Sequence, residues 1–442
     1  AIGRALGIDG DVQIYGCEVG KGSDGRAFVR ALAEACGAHV AASSKPVGHA
    51  DLGGEWQLDV GEPYTPLLAL PEWPAVLALT VTPTPPASPG KTSGEYQNSS
   101  AFAALRADGS VVTWGGRTYG GDSTTVAAKL DGTIAVVQLF SAPQAFAALR
   151  SDGSVVTWGD PFFGGNSGAV AAKLDGTIDV TQVFSAALAF AALRVDGSVV
   201  TWGFDPSGGN SSDVAAQLDG TIDVTQVAST ERAFAALRAD GSVVTWGDQT
   251  YGGNSGAVAA KLDGSVEVTH LFSTGGAFAA LHSDGSVVTW GALSWGGNSS
   301  AVATLLDGTI DVTQVFSNGY AFAALRADGS VVTWGDVSYG GNSSAVASLL
   351  DGTIDVTRVF STGFAFAALR ADGSVVTWGD PNAGGNSSAV ASLLDGTTDV
   401  TQVFSTGRAF AALRADGSVV TWGDPNFGGN SSTVATQIDG SI

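Results

Sequence analysis

Methionine is absent from this chain, cysteine occurs twice and histidine four times in 442 residues, and Lys plus Arg number 20 against 42 Asp plus Glu. Each scarcity closes off a class of function. With a net charge of −22, the chain has no basic face to offer a nucleic-acid backbone, only scattered arginines. Anionic membrane surfaces are disfavoured on the same ground. No apolar run reaches the roughly 18 residues of a membrane span. The nearest, Leu67 to Thr82, is cut by Pro71, Glu72 and Pro74, so no membrane insertion is expected. Cys17 and Cys36 neither demand nor forbid an oxidising compartment, and a bridge between them is left open. Starting at Ala1 and stopping at Ile442 inside a repeat, the chain reads as a trimmed piece of something longer, for which an upstream signal peptide stays open.

What is abundant is repetition. The phrase AFAALRADGSVVTWG, or a near copy, begins at Ala101, Ala145, Ala189, Ala233, Ala277, Ala321, Ala365 and Ala409, a constant step of 44 residues. A fixed period of this length marks stacked supersecondary units, whose fold comes from what they share and whose function comes from what differs.

Three parts follow. Residues 1–62 have an α/β rhythm, with strands at Val12–Tyr15 and His39–Ser43 around a helix from about Asp24 to Cys36, where Phe28, Leu32 and Ala35 keep helical spacing. Residues 63–93 are a proline-rich linker. Inside it, Val76–Thr82 is a candidate strand that would seal a ring by replacing the one missing ahead of the first repeat. Residues 94–442 are the repeat array.

Within each repeat two β-rich runs flank an Asp-Gly pair, the signal for a two-residue type I′ hairpin. That turn predicts Arg106 opposite Val111 and Leu105 opposite Val112, and it places Ala103, Leu105, Val112 and Trp114 on one face. Both faces are apolar or small, so each hairpin needs a neighbour on either side. With three to four short strands per repeat, the expected fold is mainly β, a β-propeller of seven or eight blades, with a small partial α/β domain at the N-terminus.

The unit DVTQVFSTGRAFAALRADGSVVTWGDPNFGG, complete at Asp399–Gly429, resembles the repeat of the regulator of chromosome condensation family, shared with the propeller-type β-lactamase inhibitor. The resemblance implies a ring, usually of seven blades, and its superfamily includes exchange factors, inhibitors and surface proteins. The first part is similar to the C-terminal half of an uncharacterised domain at the front of large bacterial adhesin-like surface proteins. Its Tyr15-Gly16-Cys17 also resembles the nucleophile strand of caspase-like cysteine peptidases, without their upstream His-Gly segment.

Cys17 is therefore the one weak catalytic candidate, set against a plain reading as a small buried residue, because a thiol needs a base and the histidines are only His39, His49, His270 and His282. No enzyme activity and no cofactor are expected. The Asp residues of ADGS and LDGT sit where turns want them and lack calcium-loop spacing, so no metal is expected. The Asn-Ser-Ser triplets at Asn98, Asn210, Asn298, Asn342, Asn386 and Asn430 read as loop residues satisfying backbone groups rather than as glycan acceptors. The Arg of ALRADG reads as a partner for an acid on a neighbouring blade.

The repeats differ in two windows, one just after Trp-Gly and one just before AFAAL. Both lie at the end of the hairpin away from the Asp-Gly tip, so they share one face. That face collects Tyr119, Phe163, Tyr251, Trp295, Tyr320, Tyr339, Phe364 and Phe427. Aromatics on a rigid scaffold build contact surfaces; the plainer alternative is that these rings only cover loop backbone. The expected function is that of a non-enzymatic extracellular or cell-surface binding and adhesion protein, whose partner is another protein, a glycan or copies of itself. The alternatives are a self-assembling structural subunit of a filament or surface layer, and a peptidase fragment fused to a propeller targeting module.

Overall fold

The computed structural model describes residues 97–441 together with three short strands ahead of them, Asp11–Ile14, His39–Ala42 and Leu79–Thr80. The chain divides into two compact units, Ala1–Val81 with Ala104–Asp108, and Thr82–Ala103 with Gly109–Ile442. In the first unit Asp11–Ile14 runs parallel to His39–Ala42, with Asp11 opposite His39 and Ile14 opposite Ala42. The anticipated helix, Cys17 and Cys36 lie outside the described residues, as does the linker apart from Leu79–Thr80. That short strand pairs antiparallel with the first repeat, Leu79 opposite Arg106 and Thr80 opposite Leu105, and the rest of Val76–Thr82 lies outside the described residues.

The array is mainly β and is built from eight three-stranded antiparallel sheets, the blades of a β-propeller-type fold. In the third blade the strands are Val180–Ser185, Ala189–Arg194 and Val199–Gly203, and the other blades repeat them at the 44-residue step, except that the first blade's first strand is Leu79–Thr80. Valine, threonine and aromatics at alternating positions suit a pleated surface covered on both sides. Between the first two strands Arg194 pairs with Val180 but Leu193 with Gln182, which leaves Thr181 as a bulge whose hydroxyl returns to the Leu193 carbonyl at 3.1 Å. Such a bulge adds twist.

The hairpin register differs by one residue from the sequence expectation. In the second blade Phe146 lies opposite Trp158 and Leu149 opposite Val155. The connection is a three-residue loop, Ser151-Asp152-Gly153, closed by Arg150 N–H to the Ser154 carbonyl at 2.9 Å. Gly153 takes φ 73°, and the Asp152 carboxylate receives both the Ser154 N–H and its hydroxyl. Serine after the glycine thus decides the turn, and a one-residue slip exchanges the faces. Phenylalanine, tryptophan, the third alanine of AFAAL and the second valine of VVTWG share the leading face of each blade; the first two alanines, leucine and the first valine share the trailing face.

Both faces are buried between blades. Ala145, Ala147, Leu149 and Val155 of the second blade pack with Phe190, Ala192, Val200 and Trp202 of the third. Phe190 stacks on Trp202 with centroids 5.4 Å apart, and the indole N–H donates to the Gly164 carbonyl at 3.0 Å. Gly164, at φ 101°, is the first of the Gly-Gly pair, and a Cβ there would stand 2.5 Å from the Phe190 ring. The Trp-Gly and Gly-Gly signatures are therefore two halves of one contact between blades.

The repeated arginine bonds to an acid of its own hairpin, and across the blade junction it also acts electrostatically on the Asp that bridges to the earlier blade, as Arg150 does on Asp131 and Arg326 on Asp307. Arg150 donates to Asp152 of its own hairpin at 2.9 Å and to the Ser154 hydroxyl, and Arg194 to Asp196 likewise. The reason is reach: the three-residue loop brings Asp two positions beyond Arg back alongside it.

Candidate functional site

The two variable windows do meet. After the third strand of the fifth blade a short turn of 3-10 helix, Leu293–Trp295, carries one window. In the blades where Asp precedes this turn, as Asp248, Asp336, Asp380 and Asp424 do, its carboxylate accepts the N–H two residues on and caps it. The other window opens on a Thr or Asn, buried at Thr230, Thr274, Asn318 and Thr362. Thr274 accepts the Ala277 N–H at 3.0 Å and donates to the Trp295 carbonyl at 2.9 Å, so one hydroxyl ties both loops together. Thr230 does the same with Tyr251, Thr362 with Ala383 and Thr406 with Phe427, while Asn318 reaches Tyr339 and Asn98 reaches Tyr119.

Sequence reasoning missed this tie. Its signal is the recurrence of Thr or Asn three residues ahead of AFAAL in the first and in the fourth to eighth blades, against Ala142 and Ala186 in the second and third. Asn98 thereby separates from the other Asn-Ser-Ser triplets. Asn298 and Asn342 accept the N–H two residues on, in the loop role expected of them.

Along the same edge the loops of adjacent blades are strung together by backbone hydrogen bonds. Glu231 N–H donates to Gly275, Gly275 to Gly319, Gly319 to Gly363 and Gly363 to Gly407. Ser99 donates to Pro143, but Pro143 has no N–H with which to continue, and the line resumes from Ala187 to Glu231.

On this string the rings form a row across the fourth to eighth blades. Tyr251 meets Trp295 edge-on at 6.0 Å, Trp295 meets Tyr320 at 4.9 Å, Tyr320 meets Tyr339 at 4.8 Å, and Tyr339 meets Phe364 at 5.4 Å. Arg408 lies over both Phe364, at 4.7 Å, and Phe427, at 5.7 Å, and Arg232 lies over Tyr251 at 5.0 Å. Six of the eight anticipated residues are thus brought together, with two arginines that the sequence reading had not chosen. Phe163 stands apart, edge-on to Phe204 at 5.9 Å, and exposed Tyr119 has no ring contact among the described residues.

Within the row, Tyr251, Trp295, Tyr320, Tyr339 and Phe364 are half-buried and Phe427 is exposed. Burial, then the charges of Glu231, Tyr339 and Asp336, push the Tyr320 hydroxyl above the usual phenol range. Trp295 has room because two glycines face it: a Cβ on Gly276 would stand 2.6 Å from the indole and one on Gly275 3.1 Å. The arrangement offers flat π surface, guanidinium edges and a few carboxylates.

Elsewhere the titratable groups are committed to structure. Hydrogen bonds from Ser242 hold the Asp240 carboxyl below its usual range, and those from Ser265 do so for Asp263. His282 is buried between the Lys261 carbonyl and Ser286, and His270 packs against Phe272. A groove of about 860 Å³ is lined by Arg117, Asp122, Lys129, Arg150 and Trp158. There, hydrogen bonds first from Thr124 and then from Arg117 lower Asp122 to about 2. Among the described residues no three His, Cys, Asp or Glu gather to hold a metal ion, and no helix is long and apolar enough to cross a membrane.

Residues 1–71 match the family model of a domain of unknown function, DUF4347. Comparison with curated protein sequences gives no match. Among solved structures the chain is similar to the ectodomain of the Physcomitrella patens receptor kinase CR4, with TM-score 0.36 and 16% identity over 65% of this chain and 73% of that one. It is similar to human WBSCR16, with TM-score 0.37 and 16% identity over 62% and 79%. It is also similar to Prp20p from Saccharomyces cerevisiae, whose binding to Gsp1p and histones has been described, with TM-score 0.34 and 19% identity over 55% and 71%.

Proposed function

We propose that the array is a non-enzymatic binding module, displayed outside the cell, which recognises another protein or a glycan through the ring row on its loop edge. The observation that carries this reading is the continuity of the row, from Arg232 and Tyr251 to Arg408 and Phe427, across five blades whose hidden surfaces are nearly identical. Variation confined to one edge, and there converging on aromatic and arginine side chains, is how a rigid scaffold concentrates contact energy. Placement outside the cell rests on the resemblance of the first 62 residues to a surface-protein domain.

The test is the Tyr251→Ala, Trp295→Ala, Tyr339→Ala triple variant, compared with the parent chain on a glycan array and against a displayed peptide library. Specific hits with the parent, weakened at least tenfold in the variant while its thermal midpoint stays close to the parent's, support the reading. An unchanged hit set, or a midpoint that collapses along with binding, means that the rings only cover backbone.

A further inference from the structure

Five of the loops that follow the Gly-Gly pair carry Asn-Ser-Ser, at Asn210, Asn298, Asn342, Asn386 and Asn430. This is the pattern of an N-linked sugar acceptor, an asparagine with a hydroxyl two residues on. Two further loops, at Asn166 and Asn254, read Asn-Ser-Gly and lack that hydroxyl. The array thus contains its own comparison, because all seven loops are built alike.

In each, the asparagine is exposed and its Oδ1 accepts the N–H two residues on. The bond is 2.9 Å long from Gly168 and Gly256, and 2.9–3.0 Å from Ser212, Ser300, Ser344, Ser388 and Ser432. The middle serine is held in both kinds by the threonine of VVTWG at 3.0 Å, Ser167 by Thr157 and Ser299 by Thr289. Its backbone is the same too, with φ −99° at Ser167 and Ser255 and −105° at Ser299 and Ser387. The fold therefore fixes the asparagine and the middle serine, and glycine or serine satisfies it equally at the third place. Among the described residues no hydrogen bond of these loops uses the hydroxyl of Ser212, Ser300, Ser344 or Ser388.

Two surface groups are left over by the loop's own chemistry: the Asn Nδ2, since the turn uses only Oδ1, and the hydroxyl two residues further on. They are the pair that an N-linked acceptor presents. We propose that Asn210, Asn298, Asn342, Asn386 and Asn430 are sites of N-glycosylation. The donor is a sugar activated on a phosphate, and a separate glycosyltransferase is the catalyst. The Asn Nδ2 bonds to the anomeric carbon while the bond from that carbon to the phosphate oxygen breaks. The phosphate leaves with that electron pair, and the amide nitrogen gives one proton to a base of the transferase, so nothing is oxidised or reduced. Loop role and acceptor role use different atoms of one side chain, and the first does not displace the second. Asn98 differs: its Nδ2 donates to the Tyr119 carbonyl at 2.7 Å, so this triplet stays bare.

Peptide mapping by tandem mass spectrometry, on the chain isolated from the cells that make it, tests this. Sugar is expected on Asn210, Asn298, Asn342, Asn386 and Asn430, and none on Asn98, Asn166 or Asn254. A single hexose marks a nucleotide-phosphate donor, a preassembled oligosaccharide a lipid-phosphate one. Made in the same cells, Gly256→Ser should gain sugar on Asn254, and Ser300→Gly should lose it from Asn298. Once deglycosylated, both variants should keep the parent's thermal midpoint, since each new residue already stands in the same loop of another blade. At Gly256 an added Cβ meets only the Asn254 Oδ1 within 4 Å, at 3.0 Å. Bare asparagines throughout the parent overturn the proposal, as does sugar on Asn166 or Asn254 there, or sugar that persists on Asn298 in Ser300→Gly. None of these results bears on the ring row, which is tested by binding.

Discussion

Gly276 is the one residue in its column without a side chain; the equivalent positions hold Gln144, Leu188, Arg232, Tyr320, Phe364 and Arg408. It faces Trp295, the largest ring of the row, and a Cβ would intrude to 2.6 Å of the indole. Bulk in one window is therefore matched by its absence in the other, and the pair should behave as a unit. Gly276→Ala is expected to displace the indole and destabilise the chain by roughly 1–3 kcal/mol, the usual range for overpacking. In a Trp295→Ala background the same change should cost almost nothing, because the atoms that it strikes are gone. Denaturant midpoints for the four chains of this cycle decide the matter; equal costs in both backgrounds mean that Gly276 serves its own backbone and not the ring.

At the level of the blade, the threonine tie explains why two loops 21 residues apart arrive at one place. Thr274→Ala removes hydrogen bonds to the Ala277 N–H and the Trp295 carbonyl in a buried setting, an expected loss of about 1–2 kcal/mol. The chain should still fold, since Ala142 and Ala186 occupy the same position in the second and third blades. A chemical-shift map that moves at Trp295 and Tyr320 but not at Trp290 would place the damage in the loop edge; an unshifted Trp295 removes the tie from the account. Much of this level was legible in the sequence: the period, the hairpins, the need for neighbours on both faces, and the meeting of the two windows all follow from alternation and antiparallel direction. The register was not, because Asp-Gly suits a two-residue turn as well as a three-residue one, and the choice falls to Ser154 bonding back to Asp152. Nor was it legible which rings would touch, since that depends on the offset between blades rather than within one.

For the whole array, stability is a sum over blades and the junctions between them, and a blade with one neighbour has less to hold it than a blade with two. The gradient has a further asymmetry. The line of loop hydrogen bonds runs unbroken from Ala187 to Gly407 but lapses where Pro143 would have to donate, so the junction of second and third blades lacks this link while keeping its packing and the Trp202 bond. Hydrogen exchange on the 442-residue chain should show this order directly. The middle strands Ala233–Arg238, Ala277–His282 and Ala321–Arg326 should exchange last. Ala409–Arg414 should exchange early from one end, and Ala145–Arg150 should open ahead of its mirror counterpart Ala365–Arg370 from the other. One common rate for all six strands would show instead that the array opens as a single cooperative body, in which case the ends are no more exposed to solvent in practice than the centre, and the Pro143 lapse carries no energetic weight.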